Sequence, residues 1–338
     1  MFRTLSAAAV LGLLSSPVLA KDLLVNCMWP AQHFFCGEVL KPWADDVARV
    51  TEGRVTVSIP ASTLAPPPKQ IDSVRGGLFD AGVTFNGFMA KELTGQMVSM
   101  LPFTASNDAR AASMALWATY EHHLSKTDEY DGLHLLSAFV GPGGDFYSLN
   151  HTPITAFKHA TDRKMWALPG VTSAVLKGGG GNVVSGPAIR MGEIIQSGVV
   201  DGFVGIPPLD AGKFNALQYA KSMTVTDDKI MNPSFSFVIS DAAWAEISSA
   251  DQEAIMSVSG SDFAEKVGTI WTRLNDASLA KVGDGLEVSE ASEGFEAELL
   301  AASQPAIDKW LKVMADSGHD GQAILDFYLA EVATQTSR

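Results

Sequence analysis

A helix-glycine-aspartate-strand unit occurs twice in this chain, and it restricts the possible folds more than any other feature. Ile71 to Val83 reads IDSVRGGLFDAGV, and Glu193 to Val204 reads EIIQSGVVDGFV. Gly77 matches Gly198 and Asp80 matches Asp201, each pair 121 positions apart. In each copy the pattern predicts a helix ending on glycine, the residue that takes a left-handed C-terminal cap without steric cost. A tight turn carrying Asp, which commonly bonds its neighbouring backbone, then leads into an apolar strand. Repeat arrays have shorter periods and more copies. Two similar α/β lobes are therefore expected.

The rest of the chain agrees with that order. LLVNCMW from Leu23 predicts a first strand, followed by a loop at Pro30. Phe34, Val39, Leu40, Trp43 and Val47 then fall on one face of a helix that Gly53 ends. RVTVSI over Arg54 to Ile59 alternates with a period of two, and Leu64 to Pro68 is a proline-rich connection before the next helix. This β-α-β-α order implies a parallel sheet with helices on its faces. Past residue 240 the pattern becomes helical, with Ser248 and Asp251 as a capping pair and Trp271, Leu274 and Leu279 on one stripe. Open α/β sheets bind ligands beyond the carboxyl ends of their strands. The segments after the two echoed strands, Thr84 to Phe88 and Gly205 to Pro208, are thus expected to face each other across a cleft.

Composition excludes several classes. Lys and Arg number 24 against 38 Asp and Glu, for a net charge of −14. That argues against nucleic acid or an anionic membrane surface as partner. Residues 1–20 read as a signal peptide, with Arg3, an apolar run from Ala7 to Leu14, and Val18-Leu19-Ala20 before the cut. Loss of Arg3 makes the mature chain one unit more negative. Cys27 lacks the context of a lipid anchor, so free release into the periplasm is expected. Cys27 and Cys36 are the only cysteines, and an oxidising compartment permits one disulfide between them.

Other features carry little chemistry. Gly178 to Gly181 lacks the Lys-Ser/Thr ending of a phosphate loop and the spaced dinucleotide pattern. His122 and His123 adjoin on a helix and point to different sides, which is poor geometry for a shared metal. No catalytic residue, metal ligand or cofactor is assigned.

Thr51-Glu52-Gly53-Arg54-Val55, Gln70 to Gly82, Leu101-Pro102-Phe103, Pro153 to Pro169, Gly198-Val199-Val200-Asp201-Gly202 and Asn232-Pro233-Ser234-Phe235 together resemble the DctP family of tripartite ATP-independent (TRAP) transporter solute-binding proteins. The resemblance covers nearly the whole mature chain. It implies a two-lobed α/β fold with long connecting helices and no catalysis. Such a protein closes on one small organic solute and delivers it to a membrane permease of two integral subunits. Lobe I is expected over 21–145, with part of 232–265 returning to it, lobe II over 146–231, and helices over 266–338 packing across both. A monomer is expected.

One departure bears on specificity. The family places an arginine after a Lys-hydrophobic pair to hold a ligand carboxylate in a bidentate grip. Here Lys164-Met165 is followed by Trp166, which has one N–H donor and no charge. The cleft segments are rich in rings: Trp29, His33 and Phe34, then Phe85 and Asn86, then Asp145 and Phe146, then Trp166 and Phe235. A ring face attracts an ammonium group, and Asp145 or Glu38 would complete the pairing. These ten residues are the candidate ligand contacts, and an amine, amino alcohol or quaternary ammonium solute is the expected cargo. The alternatives are a small carboxylate or zwitterion, a sensory role in place of transport, and an exported hydrolase using Asp80, Asp145, Asp201 or His33.

Overall fold

The computed structural model describes residues 20–104, 107–226, 229–283 and 285–337. All but the last residue of the expected signal peptide lie outside them.

Eleven strands form two sheets among the described residues. They are β1 (Lys21–Asn26), β2 (Val55–Ser58), β3 (Ala81–Phe85), β4 (Leu133–Val140), β5 (Asp145–Ser148), β6 (Lys164–Ala167), β7 (Asn182–Ser185), β8 (Gly202–Ile206), β9 (Ser222–Val225), β10 (Ser234–Ser240) and β11 (Glu287–Glu290). The first sheet runs β2-β1-β3-β10-β4 and the second runs β11-β9-β5-β8-β6-β7. In the first, β1 is parallel to β2 and β3, while β10 is antiparallel to β3 and β4. The second repeats this scheme, with β6 parallel to β7 and β8, and β5 antiparallel to β8 and β9. Each antiparallel strand comes from a segment that has crossed from the other sheet: β5 follows β4 directly, and β10 follows β9.

The duplicated unit occupies equivalent places in the two sheets. Gly77 and Gly198 have φ of 71° and 70°, a conformation open to glycine at little cost. The Asp80 carboxylate accepts the Leu24 N–H at 2.7 Å, and its own N–H donates to the Leu24 carbonyl at 2.8 Å. Asp201 repeats both bonds on Lys164, at 3.0 and 2.7 Å. Each Asp thus fastens the strand it starts to the strand beside it, as its turn chemistry predicts.

The core has a part on each sheet. Against the first, Phe35, Phe139, Phe237 and Phe263 form a nearly solvent-free group, with Trp43 at its edge donating to Ser259 Oγ. In the second, Tyr147 stacks on Phe203 with centroids 4.3 Å apart, and Phe203 is the register partner of Trp166. Burying each such ring contributes about 1.5–3 kcal/mol. The helix Gly260–Val282 packs on β4, on the helix Ala109–Thr119 and on the short helix Pro208–Lys213. The helix Glu293–Asp316 packs on the helix Val171–Gly178, and Gly321–Thr336 on Ala109–Thr119. Ser248 Oγ accepts the Asp251 N–H at 3.2 Å and caps the helix Ser249–Met256. Among the described residues no helix is long and apolar enough to cross a membrane. Cys27 and Cys36 form a disulfide.

Candidate functional site

The carboxyl ends of the echoed strands meet at one cavity. From the first sheet, Met28 and Trp29 follow β1, Phe85 and Phe88 close β3, and Phe235 lies on β10. From the second, Leu168 follows β6 and Ile206 and Pro207 close β8. Pro187 to Ile189, Asp210 and Phe214 complete that side, and Trp271 reaches in from the helix Gly260–Val282. Met28 and Leu168 are equivalent in the two sheets: each lies four residues past the backbone that its aspartate grips.

The rings brace one another. Phe235 sits 5.3 Å from Trp29, 5.7 Å from Phe85 and 5.5 Å from Trp271 between centroids. Phe85 meets Phe88 edge-on at 5.2 Å. Such offset and edge contacts are worth about 0.5–1.5 kcal/mol beyond burial and hold the ring faces in place.

One ionisable side chain lines this cavity, and it is Asp210. His33 Nε2 lies 2.9 Å from one carboxylate oxygen, and Trp271 Nε1–H donates to the other at 2.9 Å. The Phe35 N–H donates to His33 Nδ1 at 3.3 Å, so Nε2 carries the ring proton that is given to Asp210. Both His33 and Asp210 are buried. His33 belongs to the segment after β1, Asp210 to the segment after β8, and Trp271 to the long helix, so three separate elements converge on one carboxylate.

The sequence-selected residues fall into four groups. Trp29, Phe85 and Phe235 line the cavity, and His33 and Phe34 stand one layer behind, where Phe34 packs on Trp271 at 5.4 Å. Asn86 is fully buried: its amide donates to Ser234 Oγ at 3.1 Å and its oxygen accepts from Ser236 Oγ at 2.7 Å. Ser236 also meets the Tyr130 hydroxyl at 2.7 Å, so Asn86 ties the end of β3 to β10.

The remaining four lie off the cavity lining. Trp166 is fully buried on β6, and its indole N–H has no hydrogen-bond partner among the described residues. Asp145 accepts from Lys229 Nζ at 2.6 Å, where the chain passes between the sheets. Burial raises its carboxyl above the usual range, opposed by the Lys229 charge. Phe146 packs on Phe295 at 5.0 Å, and Glu38 is exposed 3.5 Å from Arg273.

Sequence reasoning passed over Asp210, Phe214, Met28 and Leu168 as contacts and took Trp271 for packing alone. Met28 and Leu168 follow from carrying the echo back to the strand each aspartate binds. Asp210 lies two residues past Pro208, just beyond the segment the strand-end rule selects. No His, Cys, Asp and Glu cluster among the described residues has the geometry of a metal site.

The chain matches the family model of bacterial extracellular solute-binding protein family 7, DctP, over residues 25–313. It is similar to a Comamonas testosteroni protein named outer membrane transporter protein TsaT, 35% identical over 335 residues and covering 98% of each chain. Its fold is similar to that of a TRAP periplasmic solute-binding protein from Bordetella bronchiseptica with bound (R)- and (S)-mandelate. That likeness has a TM-score of 0.87 at 25% identity and covers 93% of this chain and 99% of the other. A marine metagenome TRAP solute-binding protein specific for aromatic acids, in complex with 3-hydroxybenzoate, follows at a TM-score of 0.84 and 22% identity, with 94% and 99% covered. These neighbours have the two-lobed α/β fold expected from the duplicated unit, and the family match spans both copies of that unit. The chain belongs to the DctP family of TRAP transporter solute-binding proteins.

Proposed function

We propose that this protein captures an aromatic acid in the periplasm and passes it to a TRAP membrane permease. The observation that carries the reading is the cavity at the strand ends, which Trp29, Phe85, Phe88, Phe235, Phe214 and Trp271 line from both sheets and from the long helix. A benzene ring buried there gains from apolar area and from ring contacts. The bound mandelate and 3-hydroxybenzoate of the two structural neighbours support the same class. The protein acts as a monomer, and its lobes are 21–145 with part of 232–265, and 146–231. Hinge closure between such lobes is a common way to enclose a ligand.

A second reading keeps the amine or quaternary ammonium solute expected from the sequence. Its premise shifts from Trp166, off the cavity lining, to Asp210, a carboxylate among aromatic rings. A cation would gain from both.

Thermal unfolding of the mature protein with mandelate, 3-hydroxybenzoate, phenylacetate, a simple dicarboxylate, a sugar acid and 2-phenylethylamine separates the readings. A ligand present at about 100 times its Kd adds about 2.7 kcal/mol of stability. The aromatic acids are expected to raise Tm and the dicarboxylate and sugar acid to leave it unmoved. A rise with the dicarboxylate and none with the aromatic acids would overturn the proposal.

A further inference from the structure

The Asp210 carboxylate has more acceptor capacity than the protein uses. An ionised carboxylate offers about four lone-pair sites. His33 and Trp271 occupy one on each oxygen. The remaining positions belong to a buried group that lines an otherwise apolar cavity. A buried acceptor that loses its water and gains no donor costs free energy. A solute that fills the cavity shuts solvent away from Asp210, so what it presents to Asp210 decides part of its affinity.

His33 and Trp271 also fix what can be presented. Both are donors, and neither side chain can turn to accept in Asp210's place: His33 Nδ1 already takes the Phe35 N–H, and indole has no acceptor. The carboxylate is held from two sides, and among the described residues its remaining lone pairs are free. A hydroxyl or ammonium hydrogen fits that arrangement, whereas an ether oxygen, a carboxylate or a bare ring edge does not.

We propose that Asp210 is a specificity-determining residue that accepts a hydrogen bond from a donor group on the bound solute. This rests on the reading of the cavity as the solute site, and it narrows an aromatic acid to a hydroxylated one. In 3-hydroxybenzoate the ring then separates the acid group from Asp210, whereas in mandelate the acid group and the donating hydroxyl share one carbon and only the hydroxyl is turned to Asp210.

Capping the hydroxyl tests this on the native protein. Calorimetric titration compares mandelate with α-methoxyphenylacetate and with phenylacetate, and 3-hydroxybenzoate with 3-methoxybenzoate. Hydrogen bonds to charged groups predict a loss of about tenfold or more on capping in at least one pair. The same pair is then titrated into Asp210→Asn, whose unliganded melting curve reports folding separately. Asparagine has one acceptor oxygen for His33, Trp271 and ligand together, so the advantage of the free hydroxyl is expected to fall below about threefold.

Equal affinity of capped and free forms for wild type would overturn the role of Asp210 and leave the aromatic-acid reading standing. So would an advantage that persists undiminished in Asp210→Asn. Tight binding of 2-phenylethylamine, lost in Asp210→Asn and without binding of any acid, would keep the Asp210 role and overturn the aromatic-acid reading. Failure of all these probes to bind would overturn both.

Discussion

The turn at Asp80 and the turn at Asp201 are built alike, and the segments just beyond them are not. Both aspartates grip the backbone of the neighbouring parallel strand through the same two bonds. Both follow a glycine at φ near 70°. Past the strands the copies diverge: Phe85-Asn86-Gly87-Phe88 in one, Ile206-Pro207-Pro208 and then Asp210 in the other. Positions that match across the copies carry the fold. On the proposed reading of the cavity, positions that differ carry recognition, because a single solute has to meet two unlike walls.

The same contrast runs through the strands beside the turns. By the aspartate bonds, Asn26 on β1 is the counterpart of Trp166 on β6, and both are fully buried. Asn26 donates to Thr63 Oγ1 at 3.2 Å and Gln70 Oε1 at 2.8 Å, and accepts the Leu64 N–H at 2.9 Å. Trp166 fills volume and leaves its N–H unpartnered among the described residues. Two solutions to one position, polar tether and apolar plug, predict different mutational responses.

The largest effect is expected at this pair. Trp166→Ala empties a closed site and should destabilise by about 3–5 kcal/mol. Trp166→Phe, which removes the orphaned N–H, should cost less than about 1.5 kcal/mol. Asn26→Leu strands the polar groups it served and should cost about 2–4 kcal/mol. Urea unfolding of the three variants checks the order. Equal losses for Trp166→Phe and Asn26→Leu would mean that the indole N–H has a partner after all.

Next comes the disulfide, which ties the end of β1 to the helical segment after it and has no counterpart after β6. With a sequence separation of nine, its loop is worth about 2–3 kcal/mol in the chain-entropy model. The double variant Cys27→Ala, Cys36→Ala should unfold at correspondingly lower urea. Because Trp29 and His33 lie within the loop, it should also bind its solute more weakly.

A smaller, pH-dependent effect separates the segments feeding β4 and β9. Glu129, shortly before β4, accepts the N–H groups of Gly95 and Gln96, and burial raises its carboxyl to about 7. The turn Leu217–Tyr219 before β9 contains no acid. A carboxyl raised in the folded state holds its proton there, so its contribution is fully present below the unfolded value of 4.5 and is lost as pH rises through 7. Stability should therefore fall between pH 5 and about 7.5, by about 1–2 kcal/mol after screening. Glu129→Gln should flatten that slope. Urea midpoints across the range decide it.

The duplicated unit was legible because helix, glycine, aspartate and strand are consecutive in sequence and each has a local physical reason. The cleft walls were legible in part for the same cause: Phe85, Ile206 and Pro207 sit at strand ends that the echo locates. Asp210 and Trp271 were not, since their meeting depends on how a late helix packs against the short helix Pro208–Lys213, which no local pattern encodes. Trp166 shows the opposite limit. A position matched by motif told where the residue lies in the strand, but not that a ring in place of a guanidinium is buried there, off the cavity lining.

The division of labour between matching and differing positions is tested most directly by measuring Tm and solute Kd together on Asp201→Ala and Phe88→Ala. Asp201→Ala loses an exposed strand-fastening bond worth about 0.5–1.5 kcal/mol, so Tm should fall by a few degrees with Kd unchanged within about threefold. Phe88→Ala trims a half-buried ring on the cavity wall, so Kd should weaken by about tenfold or more with little change in Tm. Weakened binding in Asp201→Ala at unchanged Tm, or full affinity in Phe88→Ala, would contradict the account.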